Sequence, residues 1–136
     1  MNKKLVPKLR FKDDNGNDYP DWEEEKIGNL FDVTRGEVLS MTLVSNKQTN
    51  ENKYPVYSSQ TRNNGLSGYY KEYLYENCIT WTTDGANAGD VNFRNGKFYC
   101  TNVCGVLRSE YGYSNKFIAE LLNTVSGVLC VNRINF

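Results

Sequence analysis

The chain has 136 residues, enough for one ordinary domain with a single core. Its 16 basic and 16 acidic residues balance, so overall charge does not mark a nucleic-acid binder, although a local basic face stays open. No apolar run of about 18 residues occurs, and none follows the N-terminal lysines, which argues against a membrane span and a secretory signal. We therefore expect a cytoplasmic protein with reduced cysteines.

The first third of the chain predicts little regular structure. Residues 1–20 are expected to form an extended polar leader. The pattern Asp21-Trp22-Glu23-Glu24 is a capping box ahead of apolar residues between 27 and 31, and it predicts a short helix. A brief strand over 32–36 and a long polar loop over 40–52 should follow.

From Tyr54 onward the sequence has the composition and alternation of β-strands. Pro55 indicates that the first of these strands either has proline among its first residues or lies at a sheet edge. The Asn95-Gly96 pair predicts a hairpin turn between two strands. The strand candidates are 54–59, 68–75, 78–82, 90–94, 97–100 and 101–107.

A helix is predicted over 114–123, with Ser114 as its N-cap. Its apolar residues form one stripe that should face the core: Phe117, Ile118, Leu121 and Leu122. The predicted fold class is therefore α+β: a β-rich single domain with a twisted, mostly antiparallel sheet, a short N-terminal helix and one late helix. We place the leader at 1–20, the domain at 21–125 and a short atypical tail at 126–136.

The segment ITWTTDGANAGDV (Ile79–Val91) places a polar, glycine-rich loop directly after a strand. It lacks the Gly-Lys-Ser/Thr ending and the following helix of a phosphate-binding loop. Asp84 and Asp90 have no enforced separation for acid–base chemistry, and the chain has no histidine to activate a nucleophile. The sequence therefore does not predict an enzyme.

The same loop has two other interpretations. Its glycines and Asp84 fit a tight structural turn. Thr82, Thr83 and Asn87, which we take as exposed, suit DNA base edges and phosphate oxygens. A second polar loop over 58–65 is either a solvated surface loop or part of one recognition surface with neighbouring arginines, including Arg94.

The four cysteines do not predict a metal site or a cofactor. With no histidine, a metal would need cysteine ligands alone, and the three-residue gap between Cys100 and Cys104 is not a zinc knuckle. Cys78, Cys100 and Cys104 lie in apolar runs and are expected to be buried small hydrophobic residues. No internal repeat or low-complexity segment is found.

Several blocks of the chain resemble the target recognition domain of type I restriction-modification specificity subunits. The resemblance extends from about residue 7 to residue 123. It is carried by PKLRF, DWEEEKIGNLFDVTRG, YPVYSSQTRNNGLSGYY, ITWTTDGANAGDVNFRNGKFYCTNVCGVL and NKFIAELLN.

The resemblance implies a non-catalytic domain that reads double-stranded DNA. In that family the subunit carries two such domains separated by long helices, each reading half of a bipartite target, and it joins methylation (modification) and restriction subunits. Specificity would lie around 41–52 and 58–64. The expected base or phosphate contacts are Arg35, Gln60, Arg62, Asn63, Asn64, Thr82, Thr83 and Asn87.

The chain ends in SGVLCVNRINF without the spacer helix that the resemblance would lead one to expect, so we expect a single, truncated domain. One hypothesis is sequence-specific reading on a positively charged loop face, with affinity that falls steeply with salt. The alternative is a protein-interaction module that binds methylation or restriction subunits without reading DNA. A homodimer, in which the domain pairs with another copy of itself, is a further open alternative.

Overall fold

The structure is a computed structural model that describes residues 12–18, 26–60, 62–84 and 88–129, with side chains up to residue 124. The capping box predicted at 21–24 lies outside these residues. In the described part of the chain, helix α1 (Ile27–Leu30) is one turn long, and no helix is long and apolar enough to cross a membrane.

Six strands form one sheet in the described ranges. They are β1 (Asp32–Arg35), β2 (Tyr54–Tyr57), β3 (Leu66–Tyr70), β4 (Tyr75–Thr82), β5 (Val91–Cys100) and β6 (Cys104–Arg108). Their spatial order is β1-β6-β4-β5-β2-β3, and every neighbouring pair is antiparallel except β2 with β5. With α1 and a late helix, α2 (Lys116–Leu129), the predicted α+β class with a mostly antiparallel sheet is confirmed.

Pro55 is the second residue of β2, which lies between β5 and β3. The expectation of proline among the first residues of the strand is therefore confirmed, and the edge-strand alternative is wrong. The pairing of β2 with β5 begins only at Val56, so the missing N–H of Pro55 interrupts no register pair there.

The hairpin predicted at Asn95-Gly96 is wrong, because Val91–Cys100 is one continuous strand. Both halves of β5 pair with β4, and a bulge sets Asn95 and Gly96 opposite the single residue Asn77. Gly96 has φ +81° and donates its N–H to the Asn77 Oδ1 at 2.7 Å, while Asn77 itself has φ +51°. Gly96 thus supplies left-handed backbone to a β-bulge instead of a hairpin turn.

The second half of β5 folds back across the sheet. Strands β5 and β6 are both antiparallel to β4, hence parallel to each other, yet only three residues connect them. Those residues span at most about 14 Å, whereas the length of β4 between the two attachment points is roughly 23 Å. The hydroxyl of Tyr75, at the start of β4, accordingly donates to the Arg35 carbonyl at 2.7 Å.

The core lies on both faces of the β4–β6 pair, as strand alternation requires. One cluster lies beneath α2 and consists of Phe31, Ile79, Trp81, Val91, Leu107 and Ala119. The other cluster lies on the opposite face and consists of Cys78, Phe98, Cys100, Cys104 and Val106.

Helix α2 is capped by Asn115, whose Oδ1 accepts the Ile118 N–H at 2.9 Å. The prediction of Ser114 as cap is wrong, because its hydroxyl instead accepts the Ile79 N–H and donates to the Leu107 carbonyl, both at 2.9 Å. Ser114 therefore joins the start of α2 to β4 and β6.

Half of the predicted apolar stripe of α2 faces the core. Ile118 and Leu122 pack against the core cluster, whereas Phe117 is 65% exposed and Leu121 is 41% exposed. The helix also continues to Leu129, beyond the predicted end at residue 123.

Candidate nucleic-acid interface

A three-residue turn, Thr101–Val103, connects β5 to β6, and we call it the junction turn. The strand predicted over 101–107 begins only at Cys104, because the Cys104 N–H bonds back to the Thr101 carbonyl at 3.0 Å. Thr101 is buried and Asn102 is exposed. The turn places its backbone groups at one end of the folded sheet, where other strands end.

The junction turn bonds to the ends of β2 and β4. The Thr101 N–H donates to the Tyr57 carbonyl at 3.0 Å, at the last residue of β2. Just beyond β4, the N–H and the hydroxyl of Thr83 both lie 2.9 Å from the Val103 carbonyl. These bonds fix the first residues of the two predicted polar loops, the loop over 58–65 and the loop after Thr82.

The end of β1 also bonds to the residues that flank the junction turn. The Gly36 N–H donates to the Cys104 carbonyl at 3.0 Å, and the Glu37 N–H donates to the Cys100 carbonyl at 3.1 Å. A Cβ on Gly36 would lie 2.1 Å from the Cys100 carbonyl oxygen and 2.3 Å from that of Thr101. Only glycine fits this approach, so Arg35 is held next to the junction turn.

The predicted site residues thus come from segments that meet at one end of the sheet. Arg35 is exposed at the end of β1, and the loop over 58–65 and the loop after Thr82 start beside it. Asn87 lies outside the described residues.

Arg62, Asn63 and Asn64 form the exposed tip of the 58–65 loop. Asn63 and Asn64 have left-handed backbone, with φ of 53° and 55°. The loop is closed by the Ser58 N–H, which donates to the Gly65 carbonyl at 3.1 Å. Within the described part of the chain these three tip side chains make no hydrogen bond to protein, so their donors and acceptors face solvent.

Gln60 and Thr83 use their side chains within the protein. The Gln60 amide donates to the Leu66 carbonyl, and the Thr83 hydroxyl is engaged with Val103 and lies 3.1 Å from the Asp84 carboxylate. The expectation that Thr82 and Thr83 are exposed is wrong, because Thr82 is only 8% exposed and Thr83 is half-buried. Contacts of these residues with DNA stay predictions.

The charges at this end of the sheet have both signs. Arg35 and Arg62 are exposed, but so are the carboxylates of Glu37, Asp84 and Asp90. The expected positively charged loop face is therefore not found in the described residues. Recognition here would depend more on amides and hydroxyls than on net charge.

Arg94, expected on the recognition surface, is only 7% exposed. Its Nε donates to the Thr80 hydroxyl at 3.0 Å, and its guanidinium lies 3.8 Å from the centroid of the Tyr57 ring. Burial lowers the pKa of Arg94, partly offset by Tyr57. The residue belongs to the interior beneath the 58–65 loop.

Cys78, Cys100 and Cys104 are buried free thiols, which confirms their predicted role as small core residues. Burial raises the pKa of all three, that of Cys104 to about 11. They are therefore protonated at neutral pH, whereas a nucleophile or metal ligand needs the thiolate.

Asn102 is a candidate that sequence reasoning missed. It is exposed in the middle of the junction turn, between the three segments that meet there. The signal for it in the sequence is the polar pair Thr101-Asn102 between two apolar strands, although the strand predicted over 101–107 includes both residues.

An open cavity of about 600 Å³ lies away from the junction turn, between α1 and the start of β4. It includes the ion pair between Arg108 and Asp32, whose nitrogen and oxygen are 3.6 Å apart. Both side chains are more than half exposed, so the pair contributes about 0–1 kcal/mol to stability.

The arrangement of strands is shared with solved specificity subunits. An S subunit of a type I restriction-modification system from M. genitalium superimposes with a TM-score of 0.70 at 20% identity, covering 93% of this chain and 31% of that one. An HsdS subunit from Thermoanaerobacter tengcongensis gives a TM-score of 0.59 at 11% identity, covering 82% and 29%. At these identities the likeness shows the fold.

Sequence comparison shows the family. Residues 19–133 match the model of the type I restriction modification DNA specificity domain, so the chain belongs to that family. The specificity subunit of the type I restriction enzyme MpnII from Mycoplasma pneumoniae is 35% identical over 103 residues, 74% of this chain and 30% of that protein. Another protein of that organism, provisionally named a type I specificity subunit N-terminus, is 49% identical over 84 residues, 61% and 43%. The chain therefore spans less than half of these relatives.

Proposed function

We propose that this domain reads a short sequence in double-stranded DNA through the three segments that meet at the junction turn. The supporting observation is the set of hydrogen bonds by which the turn and its flanking residues hold the ends of β1, β2 and β4. Each base pair presents donors and acceptors in a fixed pattern, so a reader needs polar side chains at fixed mutual distances.

The side chains at the tip of the 58–65 loop suit direct readout. An asparagine amide pairs bidentately with adenine, and an arginine guanidinium pairs with guanine or a phosphate. We assign base contacts to Asn63 and Asn64, and base or phosphate contacts to Arg62. Arg35 would contact phosphate, and Asn102 would lie between these contacts. Gln60, Thr82, Thr83 and Asn87 remain in the proposed set as contacts or supports.

We propose that the domain has no catalytic activity of its own. The chain has no histidine, and three of its four cysteines are buried with raised pKa values, so the common activated nucleophiles are missing from the described residues. Reading without chemistry agrees with membership in the specificity-domain family.

Family membership also supports the proposed partners. In a type I system the domain would join methylation (modification) and restriction subunits in the cytoplasm, and a homodimer would present two half-site readers with two-fold symmetry. Capture of a methylation subunit by the purified chain without DNA would support this assembly. A subunit that is captured only at low salt and is released by competing DNA would contradict direct binding between the two proteins.

The test of DNA reading is selection of the purified chain against a random duplex library at low and moderate salt. Enrichment of one short motif is expected. Asn64→Ala should relax preference at one position of the motif, and Arg62→Ala should weaken binding. Arg108→Ala, at the cavity away from the junction turn, is the matched control and should change neither. Equal binding of all duplexes by the unmodified chain would contradict the proposal.

A further inference from the structure

We propose that Arg94 is a positioning residue that fixes the 58–65 loop in its reading conformation from below. The inference rests on the proposed function and adds to it a residue that makes no direct contact with DNA.

The guanidinium of Arg94 is held on two sides. Its Nε donates to the buried Thr80 hydroxyl at 3.0 Å, and its guanidinium carbon lies 3.8 Å from the centroid of the Tyr57 ring. Thr80 lies two residues before the end of β4, and Tyr57 ends β2, directly before the loop. The side chain therefore has a defined orientation, in contrast to the flexible arginines of a protein surface.

The other end of the guanidinium lies under the closing residue of the loop. A Cβ on Gly65 would be 3.0 Å from the Arg94 Nη2, so this nitrogen is in contact distance of the Gly65 backbone. Gly65 is buried with φ +85°, and its carbonyl accepts the Ser58 N–H that closes the loop. Arg94 thus contacts the residue whose carbonyl closes the loop.

Arg94 forms no ion pair with a described carboxylate, although the Asp90 carboxylate favours its charge from a greater distance. Within the described ranges no acidic side chain lies within 4 Å of its guanidinium, and the ion pairs found involve other residues. A buried cation without an ion-pair partner is costly, and an apolar residue of similar size would often fold as well. An anion that binds on the loop, such as a DNA phosphate, would feel this charge through a poorly hydrated interior.

Two variants separate the positioning role from general stability. Arg94→Lys keeps the charge but loses the guanidinium contact with the Tyr57 ring and the Nε donor, and Arg94→Met loses the charge at similar length. The first readout is the ratio of affinities for the selected duplex and a scrambled duplex. We expect this ratio to fall about tenfold in both variants, the equivalent of one base contact.

Both Arg94 variants should retain the salt dependence of the unmodified chain, because Arg94 contacts no phosphate. A merely structural arginine would lower the unfolding midpoint and weaken both duplexes equally. An affinity ratio unchanged in both variants would overturn the proposal, and Arg108→Met serves as the control.

The second readout does not involve DNA. Hydrogen exchange at the Ser58 amide reports directly on loop closure, since that N–H bonds to Gly65. We expect exchange about tenfold faster in both Arg94 variants, with unchanged exchange at the amides of β4. Unchanged Ser58 protection would refute the role of Arg94, whereas absent sequence selection by the unmodified chain would refute the proposed function.

Discussion

Replacing Gly36 with alanine tests whether β1 is joined to the junction turn as closely as described. The new Cβ would lie 2.1 Å from the Cys100 carbonyl oxygen, and real contacts of this kind are not shorter than 3.0 Å. The backbone of Gly36 must therefore move by about 0.9 Å, the difference between these distances. Such a shift would disrupt the two hydrogen bonds donated by Gly36 and Glu37.

The cost follows from two contributions. Each lost hydrogen bond is worth about 0.5–1.5 kcal/mol, and overpacking adds about 1–3 kcal/mol, for a total of about 2–6 kcal/mol. That is a large fraction of the roughly 5–15 kcal/mol by which a native domain is stable.

Urea unfolding followed by tryptophan fluorescence measures the effect. The midpoint should fall by at least about 1 M in Gly36→Ala. Gly112→Ala is the control, because Gly112 has φ +81° with no atom within 4 Å of an added Cβ, so only left-handed backbone strain of about 1–2 kcal/mol applies. A Gly36→Ala protein within about 1 kcal/mol of the unmodified chain would refute the close approach.

Three further results are expected. With phosphate contacts from Arg35 and Arg62 alone, the slope of log affinity against log salt should be about −1.8, a loss of about 12-fold between about 50 and 200 mM, and Arg62→Ala should halve the slope. A slope beyond about −5 would mean that other cations bind DNA. Stability should fall as pH rises from about 9, because the unfolded chain releases the Cys104 proton there whereas the folded chain holds it until about pH 11. Cys104→Ala should reduce that loss, and an identical pH profile in both proteins would contradict the burial effect. Ser114→Ala should cost about 1–3 kcal/mol in urea unfolding, since it leaves a strand N–H without its acceptor. A cost no greater than that of Ser40→Ala, at an exposed serine whose hydroxyl pairs only with that of Thr42, would refute that role.

Sequence patterns located most of the strands because alternation and turn residues are local signals. They could not distinguish a hairpin from a bulge at Asn95-Gly96, since both need left-handed backbone at glycine. A hairpin forms when the segments before and after the Asn-Gly pair bond to each other, and a bulge forms when both bond to another strand, here β4. Long-range packing decides between the two.

The candidate site was predictable as residue types but not as geometry. The polar tip of the 58–65 loop followed from composition alone. The burial of Arg94 and Thr82 could not be predicted from composition. Both residues lie in strands, where alternation decides which sheet face a side chain is on, and the fold-back of β5 decides whether that face is covered. Likewise Ser114 and Asn115 are both good caps, and only the position of β4 selects between them.

The three segments that meet at the junction turn can change independently of one another, but they all depend on the turn itself. A change in the length or sequence of one loop beyond its tethered ends leaves the other two attachment points where they are. A change in Thr101–Val103, by contrast, displaces all three together. Under the proposed function, a new DNA specificity would arise by replacing one loop on an unaltered turn. A substitution in the turn would instead change the effect of every loop substitution.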